Sequence, residues 1–318
     1  MTVSRRRFLS RTLAAAGVGL AGLSLPRKCD AETAVAEAGN DVATAGYDFG
    51  PFKMGVQSWT LRTYNFETAL AHARSFGLDF IEFTNRHVPI NTLSTYVQKI
   101  RGQMSQHDIT PSAMGVVAMK ADENKLREVF EFAKAMELQS ITANPEKDAA
   151  CFDLLEELVD EFQIPIAIHN HGPGATYDKS AEVLEWVEGR HKLLGGCVDC
   201  GHYLRSGERP EEIIAAMGDR VYGVHLKDAK SVTDPAEFER LKETLPKNRV
   251  RRLEQENMVM TIVGEGELSL PGVFEALQNV GYDRPISLEY EENEKNPLAD
   301  IGVCLANAEA AIETATKS

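Results

Sequence analysis

The histidines of this chain are concentrated beside carboxylates, in short polar stretches that each follow a run of apolar residues. Five of the eight histidines lie within a few residues of the end of such a run, and the main stretches are His169-Asn170-His171, Asp199-Cys200-Gly201-His202, His225-Leu226-Lys227 and Glu289-Tyr290-Glu291. A lone histidine is more often a structural group, but a convergent set of His, Asp and Glu offers the mixed nitrogen and oxygen ligands that Mn²⁺, Co²⁺, Zn²⁺ or Mg²⁺ accept. The pattern therefore predicts a site for one divalent metal ion.

Eight apolar runs separated by helical patterns would have to position these groups. The runs are Met54–Trp59, Phe80–Phe83, Ser112–Val117, Ser140–Ala143, Ile164–Ile168, Gly196–Val198, Val221–Leu226 and Ile286–Leu288. Most of them begin roughly 25–31 residues apart, which is the length of one strand-loop-helix-loop unit. The alternation predicts an α/β protein with one domain, a (β/α)₈ TIM barrel over residues 51–316. An open, doubly wound sheet is the alternative. The sequence lacks the Gly-rich nucleotide-binding loop after the first run that would support such a sheet.

Helix boundaries are marked by capping residues. Asn65 is placed to cap a helix that runs to Phe76 and stops at Gly77, and Asp122 is placed to cap the helix that contains Leu126. Residues 229–262 break the regular spacing and include a charged stretch with weak periodicity. Because this segment follows the seventh run, where barrels build substrate sites, we expect a helical lid or wall there rather than a second domain.

The amino terminus is typical of an export signal. Ser4-Arg5-Arg6-Arg7-Phe8-Leu9 matches the twin-arginine pattern, a short apolar run follows to Leu25, and Ala34-Val35-Ala36 offers a cleavage site. We therefore expect a signal peptide at 1–36, a linker at 37–50 and a periplasmic mature protein. The apolar run is too short to span a bilayer comfortably, so no stable membrane insertion is expected after the signal is removed. The sequence is compatible with a homo-oligomer as well as with a monomer.

Net charge argues against a nucleic-acid partner. The formal charge of the chain is −14, and residues 1–36 contribute six basic and two acidic side chains, which leaves about −18 for the remainder. A strongly acidic surface repels nucleic acid and anionic lipid. A small molecule is the expected partner.

The motifs resemble those of the sugar phosphate isomerase/epimerase superfamily, the xylose isomerase-like barrels, over about residues 50–316. The specific pieces are Val198-Asp199-Cys200-Gly201-His202, Val224-His225-Leu226-Lys227-Asp228, Gly264-Glu265-Gly266 and Ile286-Ser287-Leu288-Glu289. The resemblance implies that His169, Asp199, His225 and Glu289 hold the metal. It also shows a departure, because many relatives have a Glu where this chain has His169.

The same resemblance assigns roles to further residues. Glu289, Lys227, His202 and His169 are expected to be catalytic, with Lys227 stabilising an oxyanion and Glu289 moving a proton. The expected substrate-binding residues are His87, Trp59, His171, Glu146 and Glu265. Glu265 lies between two glycines, so a loop-forming role is the alternative for it. The expected substrate is a carbohydrate.

Three functions remain open at this point. The resemblance implies a sugar isomerase or epimerase that works through an enediolate on a keto-sugar. Replacement of a carboxylate by His169 weakens epimerisation from two faces and favours a keto-sugar dehydratase or a 3-keto-glycoside lyase. A sugar-binding barrel without catalysis is the third possibility.

Overall fold

The computed structural model describes residues 46–317. The predicted signal peptide at 1–36 and residues 37–45 of the predicted linker lie outside this range, so both stay predictions. The rest of the linker lies against the carboxyl-terminal helix of the barrel. There the Tyr47 hydroxyl donates to the Gly302 carbonyl at 3.1 Å, and the Asp48 amide donates to Glu309 Oε1 at 2.6 Å.

Eight parallel strands close into a barrel, as the spacing of the apolar runs predicted. The strands are β1 (Met54–Gln57), β2 (Phe80–Phe83), β3 (Thr110–Met119), β4 (Ser140–Pro145), β5 (Ile166–His169), β6 (Leu194–Asp199), β7 (Val221–Leu226) and, after an excursion of the chain, β10 (Ile286–Leu288). Their order around the barrel is β1-β10-β7-β6-β5-β4-β3-β2. The first strand is shorter than predicted, because Ser58–Leu61 forms a turn of 3₁₀ helix.

The register of the strands brings the metal-ligand candidates together. Asp199 is opposite His225 in the β6–β7 pair, and His225 is in turn opposite Ser287 in the β7–β10 pair. His169, the last residue of β5, is opposite Cys197 of β6. Since parallel strands all point the same way, their carboxyl ends meet at one face of the barrel.

Helices surround the barrel and connect its strands. They are α1 (Phe66–Ser75), α2 (Ser94–Gln106), α3 (Glu123–Ala135), α4 (Ala149–Phe162), α5 (Ser180–Val187), α6 (Cys200–Arg205), α7 (Pro210–Met217), α8 (Pro235–Thr244), α9 (Lys247–Glu256), α10 (Leu270–Asn279) and α11 (Leu298–Ala315). The predicted caps are confirmed: Asn65 Oδ1 accepts from the Thr68 amide at 2.9 Å and Asp122 Oδ1 from the Lys125 amide at 3.2 Å. Within residues 46–317, no helix has both the length and the apolarity needed to cross a membrane.

The excursion between β7 and α10 differs from the prediction in one respect. Its helices α8 and α9 match the predicted helical lid, but they are framed by a two-stranded antiparallel ribbon, β8 (Asp228–Ser231) and β9 (Met258–Thr261). We refer to α8 and α9 together as the lid. The ribbon returns the chain to the barrel close to its point of departure, so the lid is an insertion and not a separate domain.

Asp228 fixes the return of the chain from the lid. Its Oδ2 accepts hydrogen bonds from the amides of Gly264 and Gly266, both at 3.0 Å. Its Oδ1 accepts from the amides of Leu268 at 3.0 Å and Ala229 at 2.8 Å. A Cβ at position 266 would lie 2.2 Å from Asp228 Oδ1, so glycine is needed for this close approach. The Gly-Glu-Gly motif is therefore explained by backbone contacts with a buried carboxylate.

Candidate metal centre

Four side chains at the carboxyl ends of β5, β6, β7 and β10 converge on one point. They are His169, Asp199, His225 and Glu289, and their candidate ligand atoms all lie within 4.8 Å of one another. Each of the four is at most 7% exposed. The ligand set that the sequence implied is thus brought together by the fold.

The contacts among these four are short. His169 Nε2 and His225 Nδ1 lie 3.5 and 3.6 Å from Asp199 Oδ2, and His225 Nδ1 lies 2.9 Å from Glu289 Oε2. Two imidazoles and two carboxylates surrounding one small volume form the donor set that divalent transition metals and Mg²⁺ accept.

The atoms that face this volume have close charged neighbours but, among the described residues, no hydrogen-bond partner. Among the buried side-chain atoms of residues 46–317, His169 Nε2, Asp199 Oδ2, His225 Nδ1 and Glu289 Oε2 make no hydrogen bond. Buried polar atoms are nearly always hydrogen-bonded, and a cluster of exceptions calls for a ligand. The residues present therefore fit a divalent cation.

Lys227 lies beside the same volume. Its Nζ is 3.1 Å from Asp199 Oδ2, 2.9 Å from Glu289 Oε2 and 3.0 Å from Glu291 Oε1. Burial disfavours the charged forms of both Lys227 and Glu289. The carboxylates nevertheless hold the pKa of Lys227 well above its usual value. Lys227 and His225 in turn lower the pKa of Glu289 to about 2. A Cβ at Gly201 would meet Lys227 Cγ at 2.6 Å, so glycine there leaves room for the lysine stem. Lys227 is placed to stabilise negative charge.

Glu82 is a site residue that the sequence prediction missed. From β2 it crosses the barrel, and its Oε2 lies 2.9 Å from His225 Nε2 and accepts a hydrogen bond from Ser287 Oγ at 3.0 Å. Although its burial acts in the opposite direction, His225 lowers the pKa of Glu82, so the carboxyl group is ionised. Carboxylates that hold a ligating histidine from behind orient the ring and increase its basicity. The available signal was one charged residue inside the apolar run Phe80–Phe83.

Asp199 is oriented by Asn170, after the neighbouring strand β5, and by the first turn of α6. Asn170 donates to the Asp199 carbonyl at 3.1 Å and accepts from the Asp199 amide at 2.9 Å. Asp199 Oδ1 caps α6 by accepting from the His202 amide at 2.8 Å. These contacts occupy one carboxylate oxygen and leave Oδ2 directed at the candidate metal position.

A cavity of about 420 Å³ opens above the centre. Glu289 forms part of its floor, Trp59 stands at its wall with 37% of its surface exposed, and Arg249 and Arg252 reach it from lid helix α9. The volume falls in the range of small-molecule sites. An exposed indole face beside polar groups is suited to stacking on a sugar ring.

The predicted substrate residues divide into two groups. Trp59 and His171 line the cavity. His87 instead lies beside Tyr64, whose carbonyl is 3.1 Å from His87 Nε2, and it is not among the residues that line the cavity. Glu146 accepts from the Ala121 amide and pairs with Lys120. Glu265 is exposed on the return loop. A substrate role for His87, Glu146 or Glu265 stays a prediction that this arrangement does not support.

Comparisons with known proteins agree with this fold. The chain is 27% identical to inosose dehydratase from Lacticaseibacillus casei over 150 residues, which is 46% of this chain and 47% of that protein. It therefore spans about half the length of the curated relatives it matches.

Two solved structures resemble the barrel. The IOLI protein, solved with a zinc atom, is 18% identical, with a TM-score of 0.61 over 84% of this chain and 99% of that one. L-ribulose 3-epimerase is 13% identical, with a TM-score of 0.57 over 84% and 96%. These likenesses establish the fold. The model of the xylose isomerase-like TIM barrel family matches residues 70–307, and the chain belongs to that family.

Proposed function

We propose that this protein is a divalent-metal-dependent enzyme that removes a proton next to the carbonyl of a keto-sugar, in the manner of a sugar isomerase or epimerase. The observation that carries the proposal is the set of buried ligand atoms of His169, Asp199, His225 and Glu289, which make no hydrogen bond to any described residue and are gathered beneath a cavity of sugar size. A bound cation there would polarise the carbonyl and hold two neighbouring oxygens.

The chain's own residues would then act on the substrate. Glu289 is both a candidate ligand and a lining residue of the cavity, so its carboxylate is placed to take the proton. The Lys227 ammonium, 2.9 Å from Glu289 Oε2, would stabilise the enediolate oxygen. Trp59 would support the ring from the wall.

A second candidate, a keto-sugar dehydratase or 3-keto-glycoside lyase, is favoured by where the carboxylates lie. Those lining the cavity within the described residues, Glu289, Glu291 and Glu294, all follow β10. The wall formed by the end of β5 carries His171 and no carboxylate. Epimerisation needs one group that removes the proton from one face of the substrate carbon and a second group that returns a proton to the opposite face, whereas elimination can use one base. The dehydratase name of the Lacticaseibacillus casei relative is consistent with this alternative.

Deuterium exchange tests the proposal. Protein loaded in turn with Mn²⁺, Co²⁺, Zn²⁺ and Mg²⁺ is incubated in D₂O with keto-sugars and 3-keto-glycosides, and products are identified by NMR and mass spectrometry. We expect deuterium at the carbon next to the carbonyl. A new epimer supports the first candidate, and loss of water or aglycone supports the second.

The matched control is Glu157→Gln, on the exposed face of α4, compared with Glu289→Gln in the cavity. We expect exchange to survive the first change and to be lost with the second. Sugar binding without exchange under every metal would contradict the proposal and indicate the non-catalytic barrel.

The export signal that the sequence predicts favours a periplasmic location for this chemistry, where glycosides are more available than sugar phosphates. We expect the full-length chain to be recovered from the periplasm, and replacement of Arg5 and Arg6 by Lys to retain it in the cytoplasm. Equal distribution of both forms would contradict an exported location.

A further inference from the structure

A buried ion pair joins the metal-centre side of the barrel to the lid. Arg205, the last residue of α6, donates from Nε and Nη2 to the two oxygens of Glu256, the last residue of α9, and both distances are 2.6 Å. The two side chains are 5% and 9% exposed. This two-pronged geometry is the strongest form of an arginine–carboxylate contact and holds the guanidinium in one orientation.

The third nitrogen of the same guanidinium contacts His202. Arg205 Nη1 lies 2.8 Å from His202 Nδ1. A guanidinium has no acceptor and stays protonated, so Nδ1 must accept this hydrogen bond. An imidazole that accepts at Nδ1 while flanked by cations is neutral and carries its proton on Nε2.

The other side of the ring faces Lys227. Lys227 Nζ lies 3.4 Å from His202 Nε2, but its ammonium is within 3.1 Å of three carboxylate oxygens, one each from Asp199, Glu289 and Glu291. A lysine ammonium has no acceptor, so it cannot accept the Nε2 proton, and Glu291 Oε1 accepts its hydrogen bond. Asp199 Oδ2 is 3.9 Å from Nε2, beyond hydrogen-bond distance. The Nε2 proton is thus directed at the metal centre without an acceptor at hydrogen-bond distance among these groups.

We propose that Arg205 is a positioning residue that fixes His202 as a hydrogen-bond donor to an oxygen held at the metal centre, and that Glu256 makes this state depend on the lid. The inference rests on the proposed function for its substrate oxygen and on the contacts above for its geometry. It assigns His202 the role of donor, not of base.

Glu256 makes the orientation of Arg205 and His202 depend on the position of the lid. Glu256 belongs to the same helix as Arg249 and Arg252, which line the cavity. When α9 is seated, Glu256 holds the guanidinium against His202. If α9 moved away, Arg205 would lose its only carboxylate partner within the described part of the chain, and Nη1 would keep only a long contact of 3.5 Å with the His171 carbonyl beside its contact with the ring. Closure over a substrate and preparation of the donor would then be one event.

The position of the His202 proton can be observed directly. Protein labelled with ¹⁵N-histidine is studied by long-range ¹H–¹⁵N NMR, both metal-free and loaded with Zn²⁺, and His202→Gln assigns the signal. We expect the wild-type ring to carry its proton on Nε2 in a single tautomer. In Arg205→Lys we expect a mixture with the Nδ1-protonated form, since an ammonium cannot bridge His202 and Glu256. In Glu256→Gln we expect the same mixture, because the charge that holds the guanidinium against His202 is lost. Arg209→Lys, which alters an exposed arginine paired with Glu211, is the control and leaves the spectrum unchanged.

Kinetics supply a second readout. With a substrate from the exchange screen, we expect kcat/KM of Glu256→Gln to fall about 10- to 100-fold, the usual effect of losing a residue that orients a functional group from behind. A wild-type Nδ1-protonated ring, or an unaltered tautomer in a folded Glu256→Gln variant, would overturn the proposal. The NMR needs no turnover, so absence of exchange with every sugar would count against the proposed function alone.

Discussion

Asp199 shows how much of the site is built before a ligand arrives. Asn170 holds its backbone and the His202 amide holds Oδ1, so that Oδ2 faces His169 and His225. The sequence could predict this group because the carboxyl ends of neighbouring parallel strands must meet. It could not predict Glu82, whose role depends on crossing the barrel interior to a residue 143 positions away.

The contact between Glu82 and His225 leads to a first prediction. Glu82→Gln keeps the size of the side chain but removes the charge that orients the imidazole. We expect metal affinity to fall about 10- to 100-fold, measured by competition with a chromophoric chelator. Glu265→Gln, an exposed change of the same type, serves as the control. Equal affinity in the two variants would show that Glu82 does not support the centre.

A second prediction concerns the proton on His225. Burial opposes it, but Cys197, Glu82 and Glu289 raise the pKa of His225 well above its usual value. A cation that binds Nδ1 therefore competes with a proton for the ring. We expect metal affinity to rise with pH. Calorimetry in buffers of different ionisation heat will detect the proton release, and identical heats in all buffers would contradict it.

At the scale of elements, the lid shows where sequence patterns stop being informative. Its helices were predicted from a charged stretch at the right place in the chain. The ribbon of Asp228–Ser231 and Met258–Thr261 was not, because each strand has four residues and the partners are separated by the whole lid. Such short strands are specified by tertiary contacts. Here these contacts are the hydrogen bonds that four backbone amides donate to Asp228.

Those amides give a third prediction. Asp228→Asn replaces one acceptor oxygen by a donor and leaves two buried amides unpaired. At about 1–3 kcal/mol for each unsatisfied group, we expect the free energy of unfolding to fall by about 3 kcal/mol, measured by urea denaturation. Asp219→Asn makes the same chemical change at an exposed position and should have little effect. A fall of equal size in both variants would refute the anchoring role.

For the molecule as a whole, regular spacing of apolar runs was sufficient to predict a closed barrel, because each unit buries its strand only by pairing with the next. The first strand ended early and the third extended beyond its predicted bounds, since local turns and pairing set the ends of strands. The positions of His87, Glu146 and Glu265 were harder to foresee. His87 and Glu146 contact nearby backbone groups, and Glu265 is exposed to solvent. Proximity to a strand end does not determine where a side chain points.

The account depends on four strands delivering one metal site, and metal content measures this directly. Purified wild-type protein and the variants Asp199→Ala and Glu289→Ala are dialysed, supplied with Mn²⁺, Co²⁺ or Zn²⁺, and assayed by inductively coupled plasma mass spectrometry, with Glu265→Gln as the control. We predict one equivalent per chain in the wild type and the control, and none in the two alanine variants. Retention of metal at the wild-type ratio in both alanine variants would contradict the proposed centre.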